Sequence, residues 1–112
     1  MPNQSPDLNR VFQALSDPTR RAVLARLAEG PAPVSELAEP FGMALPSFLQ
    51  HLKMLERSGL VRSTKSGRVR TFEVELQPLE AAEHWMSAQR ALWSRRLDQL
   101  DNYLSTPKGR AP

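Results

Sequence analysis

The chain contains no cysteine, and this one absence excludes disulfides, thiolate metal sites and cysteine redox switches together. No stretch approaches the roughly 18 consecutive apolar residues that a membrane span needs. The opening Met1-Pro2-Asn3-Gln4-Ser5-Pro6 has neither the basic start nor the apolar centre of an export signal, so the cytoplasm is the expected location. Catalytic signatures are missing as well: there is no glycine-rich phosphate loop, nucleophile elbow or metalloprotease histidine pair. The two histidines, His51 and His84, fall on different expected helices without an obvious carboxylate partner, and no enzyme is expected.

What is present fits a single soluble domain spanning 1–112, with 1–6 and 105–112 as flexible tails rich in Pro, Ser, Gly and Asn. Fifteen basic residues against twelve acidic ones give a net charge of +3, which says little by itself. The distribution says more. Arg57, Arg62, Lys65, Arg68 and Arg70 fall within one short stretch that holds no Asp or Glu, the electrostatic footprint of a nucleic-acid surface.

Apolar spacing places the elements. Leu8, Val11, Phe12 and Leu15 lie on one face of a first helix. Asp17 caps a second, Pro18 suits its first position, and Ala22, Val23, Leu24 and Leu27 carry it to the breaker Gly30-Pro31-Ala32-Pro33. Ser35 caps a third helix, with Leu37, Ala38 and Phe41 inward, and Gly42 makes the turn. A fourth begins near Ala44 or Leu45, tolerates Pro46 in its first turn, repeats Phe48, Leu49, Leu52 and Leu55, and stops at Gly59. Leu60–Ser63 and Val69–Glu75 alternate like strands around a turn at Lys65-Ser66-Gly67-Arg68. Pro78 opens a long last helix to about Leu104. The expected fold is mainly α with a two-stranded β-hairpin wing, a winged helix-turn-helix in the order ααααββα.

A helix that enters a DNA major groove needs an apolar inner face and short polar or basic groups outside. Residues 44–57 divide that way: Phe48, Leu52 and Leu55 dock inward, while Ser47, Gln50, His51, Lys53 and Arg57 face out. Gln50 can pair with an adenine edge, and Ser47 and His51 can reach bases or phosphates. The hairpin cations Lys65, Arg68 and Arg70 surround Gly67, where a tight turn could lie against a sugar–phosphate backbone. The plainer alternative is a solvated surface helix followed by a solvated turn.

The chain resembles the ArsR/SmtB-type family of dimeric winged helix-turn-helix repressors over about residues 8–104. The matching pieces are 14–21 (Ala-Leu-Ser-Asp-Pro-Thr-Arg-Arg), 34–38 (Val-Ser-Glu-Leu-Ala), 50–61 (Gln-His-Leu-Lys-Met-Leu-Glu-Arg-Ser-Gly-Leu-Val) and the hairpin 67–72 (Gly-Arg-Val-Arg-Thr-Phe), in the family's order. The resemblance implies autoregulated repression, in which a dimer covers an operator until an inducing signal releases it. Ser47, Gln50 and His51 would contact bases; Thr19, Lys53, Arg57, Lys65, Arg68 and Arg70 would hold phosphates. Three departures stand out. Ala44-Leu45-Pro46 and Leu49 replace the polar start common in such reading helices, so no operator sequence carries over. Gln50 also sits where the family often has Lys or Arg. Finally, the third-helix stretch Leu37–Phe41 offers no thiol for a sensed metal, and Glu80 with His84 in the last helix reads as a surface pair. No metal or other cofactor is expected, and the inducer is left open between a small molecule, a protein partner and none at all.

The last helix carries Trp85, Met86, Leu92, Trp93, Leu97, Leu100 and Leu104 on a face too broad for one small domain to cover. Large amphipathic rings are enriched at interfaces. The expected homodimer interface joins these residues with Leu8, Val11 and Phe12 of the first helix, and intramolecular core is the alternative. A two-fold axis there would set two reading helices about 34 Å apart, matching an inverted repeat in double-stranded DNA. A reading of a different class is a winged-helix protein-interaction module that binds no DNA.

Overall fold

A computed structural model describes residues 6–105 of the chain. The tails expected at 1–6 and 105–112 therefore lie, apart from Pro6 and Ser105, outside the described residues. The elements are α1 (Leu8–Leu15), α2 (Pro18–Leu27), β1 (Ala32–Pro33), α3 (Val34–Ala38), α4 (Leu45–Arg57), β2 (Val61–Ser66), β3 (Val69–Val74) and α5 (Leu76–Ser105). They form two compact units, Met1–Ala82 and Glu83–Pro112.

In the first unit the helix starts follow local chemistry. The Asp7 carboxylate accepts the backbone N–H of Arg10 at 3.3 Å and caps α1. Asp17 accepts that of Arg20 at 3.1 Å and caps α2, with Pro18 as the first helical residue, where a missing N–H costs nothing. Ser35 is not the cap of α3. The helix begins one residue earlier, after an extended Pro33 that supplies no side-chain bond. Pro33 is held extended because it pairs with Thr71, and this pairing is the main departure from the expected fold. Ala32–Pro33, read in sequence as a breaker, is a third strand, giving a sheet of order β1-β3-β2 rather than a two-stranded hairpin. A proline lacks the N–H a central strand would need, so an edge is where it can pair.

α4 ends in a Schellman motif. The Leu60 N–H donates to the Leu55 carbonyl at 3.2 Å and the Gly59 N–H to that of Glu56 at 2.9 Å. Gly59 supplies the left-handed residue at φ +82°, and a Cβ there would also stand 3.3 Å from the Pro78 ring. The chain then enters β2, which pairs antiparallel with β3 in a register that sets Lys65 opposite Arg70 and Ser66 opposite Val69. The turn is thus only Gly67-Arg68, with Lys65 and Ser66 drawn into the strand. Gly67, at φ +63°, carries the single positive φ of this two-residue turn, as a Gly-X hairpin of the II′ class requires. α5 starts at Leu76, two residues ahead of Pro78, which fits in the first turn because that turn's N–H groups have no partner within the helix.

The core is built from Val11, Val23, Leu37, Phe48, Leu52, Leu55, Leu60 and Phe72, with Ala82 from the start of α5. Val11, expected at a subunit interface, is 0% exposed here. It is enclosed by its own unit, offers a partner no surface, and is removed from that set. The second unit is the remainder of α5, on which Trp85, Met86, Leu92, Trp93, Leu97, Leu100 and Leu104 are all exposed. Among the described residues no helix is long and apolar enough to cross a membrane.

Candidate nucleic-acid interface

α4 separates its two faces by helical spacing alone. Phe48, Leu52 and Leu55 are buried, and Phe48 stacks at a tilt on Phe41, with ring centroids 5.4 Å apart. Ser47, Gln50, Lys53 and Arg57 are exposed, as the sequence pattern requires. Leu45 and Leu49 are exposed with them, at 53% and 43%. From residue 44 to 55 the helix and its cap carry no carboxylate; Glu56 is the first.

His51 is placed differently from the others. It is half-buried, and its Nδ1 lies 2.9 Å from Arg20 Nη1 and 3.7 Å from Asp17 Oδ2. A guanidinium only donates, so Nδ1 is the acceptor and the ring proton sits on Nε2. Arg20 thereby fixes the tautomer and holds His51 to the start of α2. The same arginine, only 8% exposed, donates from Nε to the Ala14 carbonyl at 2.8 Å and from Nη2 to the Gln13 carbonyl at 2.9 Å. It ties the end of α1, the start of α2 and α4 together. Burial alone would push the Asp17 carboxyl up; the Arg20 backbone N–H, the positive charge that His51 carries once acid protonates its ring, the charge of Arg20 and the Thr19 backbone N–H outweigh it and bring it below its ordinary value. Thr19, half-buried, therefore stands in the same cluster.

The sequence reading found Asp17 as a cap and His51 as an outward residue, but not the arginine between them. Its signal was present: a cation three residues past a helix cap, in a segment otherwise packed by Val23 and Leu27. A charge on a helix is ordinarily solvated, so only the fold reveals that this one is enclosed.

The wing cations also differ among themselves. Arg62 is clasped by Glu73, through a short hydrogen bond, and by Glu75 at 3.1 Å, and these carboxylates raise its pKa above the ordinary arginine value. It is neutralised by the hairpin it belongs to. Arg70 donates to Ser63 Oγ at 2.8 Å, and that hydroxyl donates to Glu56 Oε2 of α4 at 2.6 Å, a relay that pins the wing to the helix. Lys65 and Arg68, at the tip, are exposed and make no ion pair within the described residues; the same is true of Lys53 and Arg57. Arg57 shares a cleft with Arg10, Gln13 and Met54, which adds Arg10 of α1 to this face. Sequence reading did not pick out Arg10, because it lies far from the motif along the chain. Arg10 also pairs with Asp7 at 3.5 Å. No group of three or more His, Asp or Glu able to hold a metal occurs among the described residues.

A helix with an apolar back and a polar, cationic front, followed by a tight basic hairpin, defines the class of winged helix-turn-helix DNA-binding proteins. Comparison with known proteins agrees. A family model described as a helix-turn-helix domain matches residues 15–64. The chain is 42% identical over 78 residues to the HTH-type transcriptional regulator Rv2034 of Mycobacterium tuberculosis, covering 70% of this chain and 71% of that protein. It is 32% identical over 79 residues to the transcriptional repressor SdpR of Bacillus subtilis, covering 70% of this chain and 88% of that one. A crystal structure of an ArsR family transcriptional regulator, RHA00566, is 60% identical and superposes with a TM-score of 0.75 over 78% of this chain and 90% of its own. The chain belongs to the ArsR family of winged helix-turn-helix transcriptional regulators, and it is a DNA-binding regulator of transcription.

Proposed function

We propose that the protein is a cytoplasmic, homodimeric repressor of its own operon that reads an inverted-repeat operator. The observation that carries the reading is the exposed front of α4, where Ser47, Gln50, Lys53 and Arg57 stand free of the core, together with the exposed wing-tip cations Lys65 and Arg68, which make no ion pair among the described residues. In this reading Ser47 and Gln50 contact base edges, and His51 offers its Nε2–H to a base or phosphate. Thr19, Lys53, Arg57, Lys65, Arg68 and Arg70 hold the backbone. Arg62, occupied by two carboxylates, takes no part.

Dimerisation is supported by the apolar surface left open on α5: Trp93 is 64% exposed and Leu97 61%, with Leu92, Leu100 and Leu104 close by along the helix. A monomer seldom leaves so continuous an apolar stripe in water. Trp85, Met86 and the half-buried Leu8 and Phe12 complete the proposed contact. Family membership disfavours the alternative of an interaction module that never binds DNA.

A mobility-shift titration of the chain on its own upstream region, at 50 and 200 mM salt, tests the reading. With about six to ten phosphate contacts, affinity should fall by roughly a thousandfold or more between the two. Absence of any shifted band at low salt removes the proposal.

A further inference from the structure

We propose that Leu45 and Leu49 read the 5-methyl groups of thymine in the major groove, so that each operator half-site places thymine opposite the start of α4. The proposal rests on α4 being the helix that enters the groove. The two leucines lie one turn apart at the N-terminal end of that helix and are exposed at 53% and 43%. They are not core residues displaced by a slip of register, because Phe48, Leu52 and Leu55 already fill the inward row. Ala44 and Pro46 beside them are exposed as well, the other exposed residues of this stretch, Ser47, Gln50 and Lys53, are polar, and no carboxylate lies between residues 44 and 55.

One exposed leucine needs no explanation in a soluble protein. Two on a groove-facing helix are a different matter, because the floor of the major groove has one apolar group to offer, the methyl of thymine. A polar side chain there would select an edge by hydrogen bonding; a leucine selects by the area of methyl it covers and rejects a bare, hydrated edge. The surface around the pair favours this occupant over a protein partner. The polar part of this exposed stretch is hydroxyl, amide and ammonium (Ser47, Gln50 and Lys53), with no carboxylate before Glu56, and it suits a polyanion. Gln50 then reads its adenine edge by hydrogen bonds while the leucines fix the neighbouring thymines by contact.

The test uses the full chain and operators recovered from a randomised-site selection. Each thymine of a half-site is replaced in turn by deoxyuridine, which keeps the O4 acceptor and loses only the methyl; cytosine and 5-methylcytosine at the same position separate methyl from O4. At the positions read by the leucines, wild type should bind the deoxyuridine operator about fourfold more weakly per methyl removed, hence about sixteenfold when one is removed from each half-site. It should prefer 5-methylcytosine to cytosine by a similar factor. The variant L45A/L49A should bind the thymine and deoxyuridine operators alike, near the wild-type affinity for deoxyuridine. Both side chains are exposed, so its thermal midpoint should stay near wild type. Equal wild-type affinity for thymine and deoxyuridine at every position overturns the leucine assignment alone. So does a wild-type ratio that survives in L45A/L49A. Failure of the selection to yield any operator overturns the DNA reading beneath it.

Discussion

Arg20 is the residue on which the local geometry turns. Each of its three guanidinium nitrogens has a partner: the Ala14 carbonyl, the Gln13 carbonyl and the His51 ring. Hydrogen bonds to a charged group contribute about 1.5–3 kcal/mol, and deleting the donor strands the buried Ala14 carbonyl. R20A should therefore destabilise the fold by roughly that amount or more in urea titration. R20K, lacking the planar fork, should recover only part of it. A midpoint unchanged in R20A would contradict the clamp. Asp17 adds a pH signature. Its folded carboxyl titrates below its ordinary value, so its stabilising contribution is present above the unfolded-state pKa of about 3.9 and is lost as pH falls through the lower folded one. D17N keeps a capping oxygen but not the charge. Its thermal midpoint should lose less than wild type on acidification below about pH 4, and parallel acid profiles would exclude the assignment.

At the scale of elements, the helices were legible because each announces itself by short-range chemistry. Asp17-Pro18 starts α2, the spacing of Phe48, Leu52 and Leu55 sets the inner face of α4, and Gly59 stops it with a positive φ. β1 was not legible. A two-residue strand has no period, and Ala32–Pro33 becomes one only because β3 lies alongside. The same limit applied to the interface: Ser47 and Gln50 could be read from one helix, whereas the enclosure of Arg20 and the neutralisation of Arg62 depend on groups brought in by the fold. That difference between cations can be measured. R68A should weaken binding to all sequences alike and lower the salt slope by about two, one for each subunit of the proposed dimer. R62A should leave the slope near wild type, since its charge is already matched. Equal slope changes in the two variants would count against the division.

For the whole molecule, the open stripe on α5 governs assembly. L97D places a charge on a position that is 61% exposed in the single chain, so the subunit should keep its helical content. In sedimentation equilibrium the variant should shift from dimer toward monomer, and operator affinity should drop with it. A wild-type association constant in L97D would move the interface elsewhere.

The Arg20 clamp constrains how such a regulator can let go. Because one guanidinium joins α1, α2 and α4, the reading helix cannot swivel inside its own head without breaking its bond from His51 to an arginine that α1 holds at the other two nitrogens. In the proposed dimer, release is then expected as a change in the gap between the two heads, not in the attitude of either reading helix. The chain has no cysteine to interfere, so a single spin label at E29C, exposed just past the end of α2 and outside the residues proposed to touch DNA, would report that gap directly. The distance between labels should widen or narrow on losing DNA, while each label's own environment stays the same.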